Sequence, residues 1–421
     1  MKKLLSVTFF SGLLTLARMG SGFIIAKVVA IYTGPAGMAM LGQIQSMIVS
    51  LNGIVNAPVG SGLVRYTAEY EKQGIGACSP WWKASVWWLV VILCIVMPSG
   101  FLFARPLAEW LFRDPDYAWI IWAASAMLPL AAIGTLVNSV VNGYQQYRLY
   151  IMLGAISTAV SCILMITLVV SFGITGALLA AAIQTGLIGI VLLCGVLRQP
   201  WVALRFWWGN GGVDKEHKKR IGGYILMAIT SSLTVPIALI AVRNILVSNV
   251  GWESAGQWQA VWKISEVYLG VITIALSTYF LPKLSTLKDV KDIKKEINQT
   301  LLIIIPVVSL MAVCVYFLRD VAISLLFTEQ FRDARDLFAI QLVGDVIKIV
   351  SWLYAYPMIS RGATKWFIFT EIFFSGLFVV LSYFLIDAYG TQGANLAYLI
   401  NYLLYMIFVS LNLNRVCRHR I

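Results

Sequence analysis

Phe172-Gly173-Ile174-Thr175-Gly176-Ala177-Leu178-Leu179-Ala180 returns as Tyr389-Gly390-Thr391-Gln392-Gly393-Ala394-Asn395-Leu396-Ala397, at an offset of 217. Two more echoes stand at nearly the same offset. Gln43-Ile44-Gln45 precedes Gln257-Trp258-Gln259 by 214, and Leu111-Phe112-Arg113-Asp114 precedes Leu326-Phe327-Thr328-Glu329 by 215. Three matches in one order, each at the same place in its half, imply a duplicated chain.

The duplicated unit is apolar. Of 421 residues, 60% are hydrophobic and 12% charged, about half the charged fraction of a soluble domain. Apolar stretches of about 20 residues, each long enough to cross a bilayer, recur from end to end. They read as spans 4–32, 38–64, 84–104, 118–142, 150–172, 174–197, 222–248, 256–282, 298–318, 339–360, 365–386 and 391–414. Lys2 and Lys3 before the first run resemble a signal peptide, but the run is too long and carries Arg18 and Lys27. It is expected to be an uncleaved first span. The predicted fold is thus an all-α polytopic membrane protein with about twelve transmembrane helices.

With twelve spans, 22 Lys and Arg fall on the side of the two termini and 5 on the other. Positive charge marks the cytoplasmic face, so both termini are expected there. Topology then accounts for most of the net +13, and no nucleic-acid partner is called for. Six spans per half give a parallel repeat, two lobes that rock about a central cleft. The expected division is a lobe at 1–197, a basic and aromatic cytosolic linker at 198–221, and a lobe at 222–421. In the linker, Trp201, Leu204, Phe206, Trp207 and Trp208 suggest a segment lying on the bilayer surface; an ordinary interfacial loop is the other reading.

Catalysis and cofactors find no support. Six cysteines lack CxxC spacing and the two histidines, His217 and His419, lie in loops, so neither a metal site nor a cofactor is expected. Walker A, HExxH and GxSxG motifs are missing. The outer loops 105–117 and 319–338 are too short for a catalytic domain, so no catalytic residue is assigned.

Eight ionisable residues fall within the spans: Arg18, Lys27, Arg243, Lys263, Glu266, Asp345, Lys348 and Glu371. A charge at the bilayer centre costs roughly 2.5–3.5 kcal/mol, so such residues usually face a polar cavity and act there. Five cations against three acids ask for an anionic substrate. Lys263 with Glu266, and Asp345 with Lys348, lie three apart and are positioned to neutralise each other on a helix. Lys27 and Arg243, 216 apart, occupy matching places in the two halves; snorkelling to the headgroups is their other reading. Glu371 belongs either to the cytosolic rim or to proton handling. Arg18, Lys27, Arg243, Lys263 and Lys348 are the candidate binding cations; Glu266, Asp345 and Glu371 are candidates for coupling or charge pairing.

The second span contains Asn56-Ala57-Pro58-Val59-Gly60-Ser61-Gly62. Pro58 with Gly60 and Gly62 is expected to break that helix, as a hinge or through close packing of small residues. The corresponding stretch near Thr273 lacks the proline, so no matching break is expected there.

The stretches Ile225-Leu226-Met227-Ala228-Ile229-Thr230-Ser231-Ser232-Leu233-Thr234-Val235-Pro236, Gln257-Trp258-Gln259, Tyr279-Phe280-Leu281-Pro282-Lys283-Leu284-Ser285 and Arg335-Asp336-Leu337-Phe338-Ala339-Ile340-Gln341-Leu342-Val343-Gly344-Asp345-Val346-Ile347-Lys348 resemble Wzx-type flippases of lipid-linked oligosaccharides. So does the turn Gly34-Pro35-Ala36-Gly37. These flippases belong to the multidrug/oligosaccharidyl-lipid/polysaccharide exporter superfamily. The resemblance implies a MATE-like fold and transport of an undecaprenyl-diphosphate-linked repeat unit across the bacterial inner membrane, driven by an ion gradient. It places Asp345 and Lys348 inside a family motif. O-antigen units are the expected cargo, with the lipid III of enterobacterial common antigen as the alternative and a multidrug exporter as a further one. Expected partners are the lipid-linked oligosaccharide, membrane lipids, and the polymerase and chain-length regulator of the same pathway.

Overall fold

The computed structural model of the protein describes residues 2–203, 215–287 and 289–418. Helices α1 (Lys2–Asn56), α2 (Ser61–Tyr70), α3 (Ile75–Leu102), α4 (Ala104–Phe112), α5 (Ala118–Gly143) and α6 (Tyr147–Val196) come first. Then follow α7 (Lys215–Ala275), α8 (Leu281–Thr286), α9 (Val290–Leu326), α10 (Phe338–Ser360), α11 (Thr364–Tyr389) and α12 (Thr391–Arg418). Nine helical stretches among the described residues are long and apolar enough to cross a membrane.

Three of these stretches, of 62, 50 and 59 residues, far exceed the ~20 residues a crossing needs. Each holds one glycine at positive φ: Gly34 at 64°, Gly173 at 58° and Gly251 at 87°. Gly390, the repeat counterpart of Gly173, has φ 59° and ends α11 outright. The bend at Gly173 is the same turn. A Cβ on Gly176 would lie 1.9 Å from the Leu168 carbonyl oxygen, and one on Gly393 2.0 Å from that of Leu385. Residues eight apart on one helix are separated by about 12 Å, so the chain has doubled back at both places.

The repeat extends to hydrogen bonding. Tyr144 N donates to Val140 O, Gln145 N to Asn142 O and Gln146 N to Val141 O. In the second half Arg361 N, Gly362 N and Ala363 N donate to Pro357 O, Ile359 O and Met358 O, every atom at the same offset from its counterpart as Gly390 from Gly173. In this register Gln43-Ile44-Gln45 stands three positions, nearly one helical turn, away from Gln257-Trp258-Gln259; the residue matching Gln259 is Gly42. Gln145 holds φ 51° where Gly362 holds 62°. A left-handed conformation costs a side-chain-bearing residue roughly 1–2 kcal/mol, partly offset by the greater unfolded freedom of glycine. Gln145→Gly is therefore expected to stabilise the protein by about 0.5 kcal/mol, read as a small rise in unfolding midpoint in detergent; a fall would contradict the strain.

Two compact units are present: Met1–Tyr32 with Gln43–Pro236, and Thr33–Gly42 with Ile237–Ile421. The first unit runs past the expected linker because the start of α7 packs into it. Trp88 Nε1 donates to Lys218 O at 3.0 Å, and Lys218 Nζ lies 4.1 Å from the centre of the Trp87 ring. Ile225, Ala228 and Ile229 join a core with Trp82, Leu136 and Val140. Trp201, expected at the bilayer surface, is buried in that same core. Its apolar ring gains more from that burial than from an interfacial position. Leu204, Phe206, Trp207, Trp208 and His419 lie outside the described residues.

The expected break is present. Helix α1 ends at Asn56, a 3₁₀ turn covers Ala57–Val59 with Pro58 buried, and α2 starts after Gly60. The break leaves carbonyls without a helical partner, and Ser139 Oγ meets one, donating to Val59 O at 2.6 Å. In the other half an interruption does occur at the equivalent place, contrary to expectation. Helix α7 stops at Ala275 and passes through a π turn, Leu276–Phe280, before Pro282. There the extra residue of a π turn does what proline does at 58.

Candidate functional site

Beyond Gly251, α7 presents Trp262, Ser265, Glu266, Leu269, Gly270 and Thr273 at helical spacing on one face. Helix α10 presents Gln341, Lys348 and Trp352 in the same way, and α12 contributes Tyr398. Between them lies a cavity of about 380 Å³, at the lower end of ligand-sized pockets.

Asp345 sits behind this cavity, 0% exposed. Its carboxylate accepts from Tyr268 Oη at 2.6 Å, Tyr398 Oη at 2.9 Å and Gln341 Nε2 at 3.1 Å. It makes no direct salt bridge with Lys348, although the two charges act on each other; its hydrogen bonds come from donors on three helices. Three converging N–H and O–H groups compensate a buried carboxylate and leave the lysine to other contacts. Lys348 Nζ stands among four rings, 5.5 Å from Trp262, 5.0 Å from Trp352, 5.5 Å from Tyr398 and 5.3 Å from Tyr402. Ring faces attract an ammonium group without supplying a counter-charge, so Lys348 stands at the cavity wall with no direct salt bridge among the described residues.

Lys263 and Glu266 do pair, at 3.2 Å, and Glu266 also accepts from Trp262 Nε1 at 3.1 Å. Arg243 is 2% exposed, its Nε donating to Gln259 Oε1 at 2.8 Å; it does not line the cavity. In the first unit Arg18 is exposed, with its guanidinium close to Gly154 of α6, and Lys27 is half-buried. Glu371, on α11, lines a separate cavity of about 210 Å³ with Phe367 and Tyr405, and Trp352 borders both cavities. Of the five candidate cations, the structure therefore brings only Lys348 to the cavity wall. Gln341, Trp352, Tyr398 and Tyr402 were not singled out as site residues from sequence. Gln341, four residues before Asp345, carried the one local signal.

Residues 82–336 match the family described as "Polysaccharide biosynthesis protein". The lipid III flippase of Escherichia coli K12 is 30% identical over 404 residues, 93% of each chain. A putative O-antigen transporter of Shigella flexneri is 21% identical over 199 residues, 47% of this chain and 46% of that one. Among solved structures, an inward-facing multidrug resistance MATE transporter of the MOP superfamily superposes with TM-score 0.76 at 13% identity, covering 96% of this chain and 95% of that one. The lipid II flippase MurJ superposes with TM-score 0.73 at 12% identity, covering 97% and 87%. The chain, an all-helical multi-pass membrane protein of MATE-like fold, belongs to the Wzx-like polysaccharide biosynthesis family of flippases in the MOP superfamily, a family of transporters rather than enzymes.

Proposed function

We propose that the protein flips an undecaprenyl-diphosphate-linked oligosaccharide from the cytoplasmic to the periplasmic leaflet of the bacterial inner membrane by alternating access, coupled to an ion gradient. The twelve-span reading suits this, with both termini cytoplasmic and six-span lobes at 1–197 and 222–421; nine long stretches, three of them bent once by glycine, support it. Each sugar hydroxyl moved unpaired into hydrocarbon costs several kcal/mol, so such a lipid needs a polar path. The observation that carries the reading is Lys348, a cation with no ion-pair partner among the described residues, at the wall of a ligand-sized cavity.

The cargo inferred is lipid III of enterobacterial common antigen. Similarity to a lipid III flippase spans 93% of the chain, whereas that to the O-antigen transporter spans under half, so the O-antigen becomes the second reading. A multidrug exporter for cations would want free carboxylates, and here Glu266 is paired and Asp345 is enclosed. Pro58, Gly60 and Gly62 are assigned as a hinge, and Arg18, Lys27, Arg243 and Lys263 as further cations along the path.

Expression in a strain lacking its own lipid III flippase tests this. Wild type is expected to relieve accumulation of the lipid-linked glycan on the cytoplasmic leaflet. Lys348→Met, at equal membrane level, is expected to lower export about 10–100-fold, the worth of a charge-assisted hydrogen bond of roughly 1.5–3 kcal/mol. Unrelieved accumulation with wild type, with relief instead in a strain lacking its O-antigen transporter, would overturn the assignment of cargo.

A further inference from the structure

The amide of Gln341 hydrogen-bonds through its nitrogen and not through its oxygen among the described residues. The residue is 1% exposed and its Nε2 donates to Asp345 Oδ1 at 3.1 Å. Tyr398 Oη donates to the same oxygen, and the Gln341 amide presents its nitrogen to the Asp345 carboxyl. Its Oε1 is buried and makes no hydrogen bond to any described group. Gln341 lines the 380 Å³ cavity. An enclosed acceptor with no partner is costly to keep, and a donor brought by a ligand would remove the cost.

The rest of the lining says what kind of donor. Trp262 and Trp352 offer aromatic surface, while Leu269, Gly270 and Ile274 are apolar. Polar groups are few and discrete: Ser265, Glu266, Thr273 and Lys348. A pyranose has this same division, with C–H groups on its faces and hydroxyl or amide donors around its rim. A repeat unit of several sugars exceeds the volume; one ring suits it. A flat organic cation does not, since Lys348 sits at the wall and both nearby carboxylates are engaged.

We propose that the cavity bounded by α7, α10 and α12 is a sugar subsite, which holds one pyranose ring of the glycan against Trp352 and orients it through a hydrogen bond to Gln341 Oε1. Lys348 then faces the anionic part of the same substrate. The subsite rests on the reading of the protein as a carrier of lipid-linked glycans, and it adds a specificity element to that reading. Trp352 and Gln341 select the ring; the lysine selects the charge.

Saturation-transfer NMR on the full chain in lipid nanodiscs tests it, with methyl N-acetyl-β-glucosaminide and methyl glucoside as sugar probes and inorganic pyrophosphate (followed by ³¹P line broadening) as the anion probe. Transfer from wild type is expected onto the ring C–H protons of at least one sugar. Trp352→Leu and Gln341→Leu should each reduce it at least fivefold, and Trp352→Phe should retain it. Pyrophosphate binding should survive both leucine variants and fall in Lys348→Met. Trp352 lies outside the Asp345 hydrogen bonds, so Trp352→Leu decides the matter even if Gln341→Leu fails to fold. No transfer to either sugar, or transfer unaltered in Trp352→Leu, overturns the subsite. Pyrophosphate binding and relief of glycan accumulation would in that case leave the flippase reading standing, and their loss in wild type would remove both.

Discussion

Asp345→Ala is expected to lower stability by about 3–6 kcal/mol. The carboxylate is wholly enclosed and accepts from Tyr268, Tyr398 and Gln341. Alanine leaves three buried donors without an acceptor, each costing about 1–3 kcal/mol, offset in part because the buried carboxyl's own desolvation is removed. Asp345→Asn should fall between, because its carbonyl oxygen still accepts while its NH₂ faces other donors. Tyr268→Phe removes one donor and leaves the remaining two in place, so it should cost only about 1 kcal/mol. Reversible unfolding in mixed micelles measures all three. A loss below about 1 kcal/mol in Asp345→Ala would contradict the hydrogen-bonded burial of this group.

Gly393→Val is expected to cost about 3 kcal/mol or more. Its Cβ would stand 2.0 Å from the carbonyl oxygen and 2.3 Å from the carbonyl carbon of Leu385. Overpacking typically costs about 1–3 kcal/mol when side chains can yield; here the obstacle is backbone. Gly176→Val should behave alike, with Leu168 O at 1.9 Å. Gly376, on the exposed side of α11 with nothing within 4 Å of an added Cβ, is the control. Gly376→Ala should stabilise by up to ~1 kcal/mol, the helix-propensity difference. Unfolding of Gly393→Val no earlier than wild type would refute the close turn at Gly390.

These two positions mark how far the chain could be read. Gly173, Gly176, Gly390 and Gly393 were visible because a tight turn between packed helices tolerates little else, and the need is local. The repeat, the long apolar helices and the break at Pro58 follow from such local rules. The π turn at 276–280 escaped them, since no single residue type marks it. Lys263 and Glu266 form the direct salt bridge that their spacing suggested; Asp345 and Lys348, equally spaced, interact electrostatically without one.

The difference lies in what else surrounds each pair. Lys263 and Glu266 are partly exposed, so the nearest partner on the same helix wins. Asp345 is enclosed, and donors 77 and 53 residues away in sequence reach it. Arg243 illustrates the same limit: its place along the helix was legible, and its enclosure against Gln259 was not. By itself the sequence determined a duplicated, multi-helical membrane protein, because hydropathy and turn-forming glycine act over a few residues; its flippase character came from family resemblance. Only the tertiary structure decided which of the candidate cations stands at a cavity wall, because a buried charge takes its partners from whichever helices pack around it.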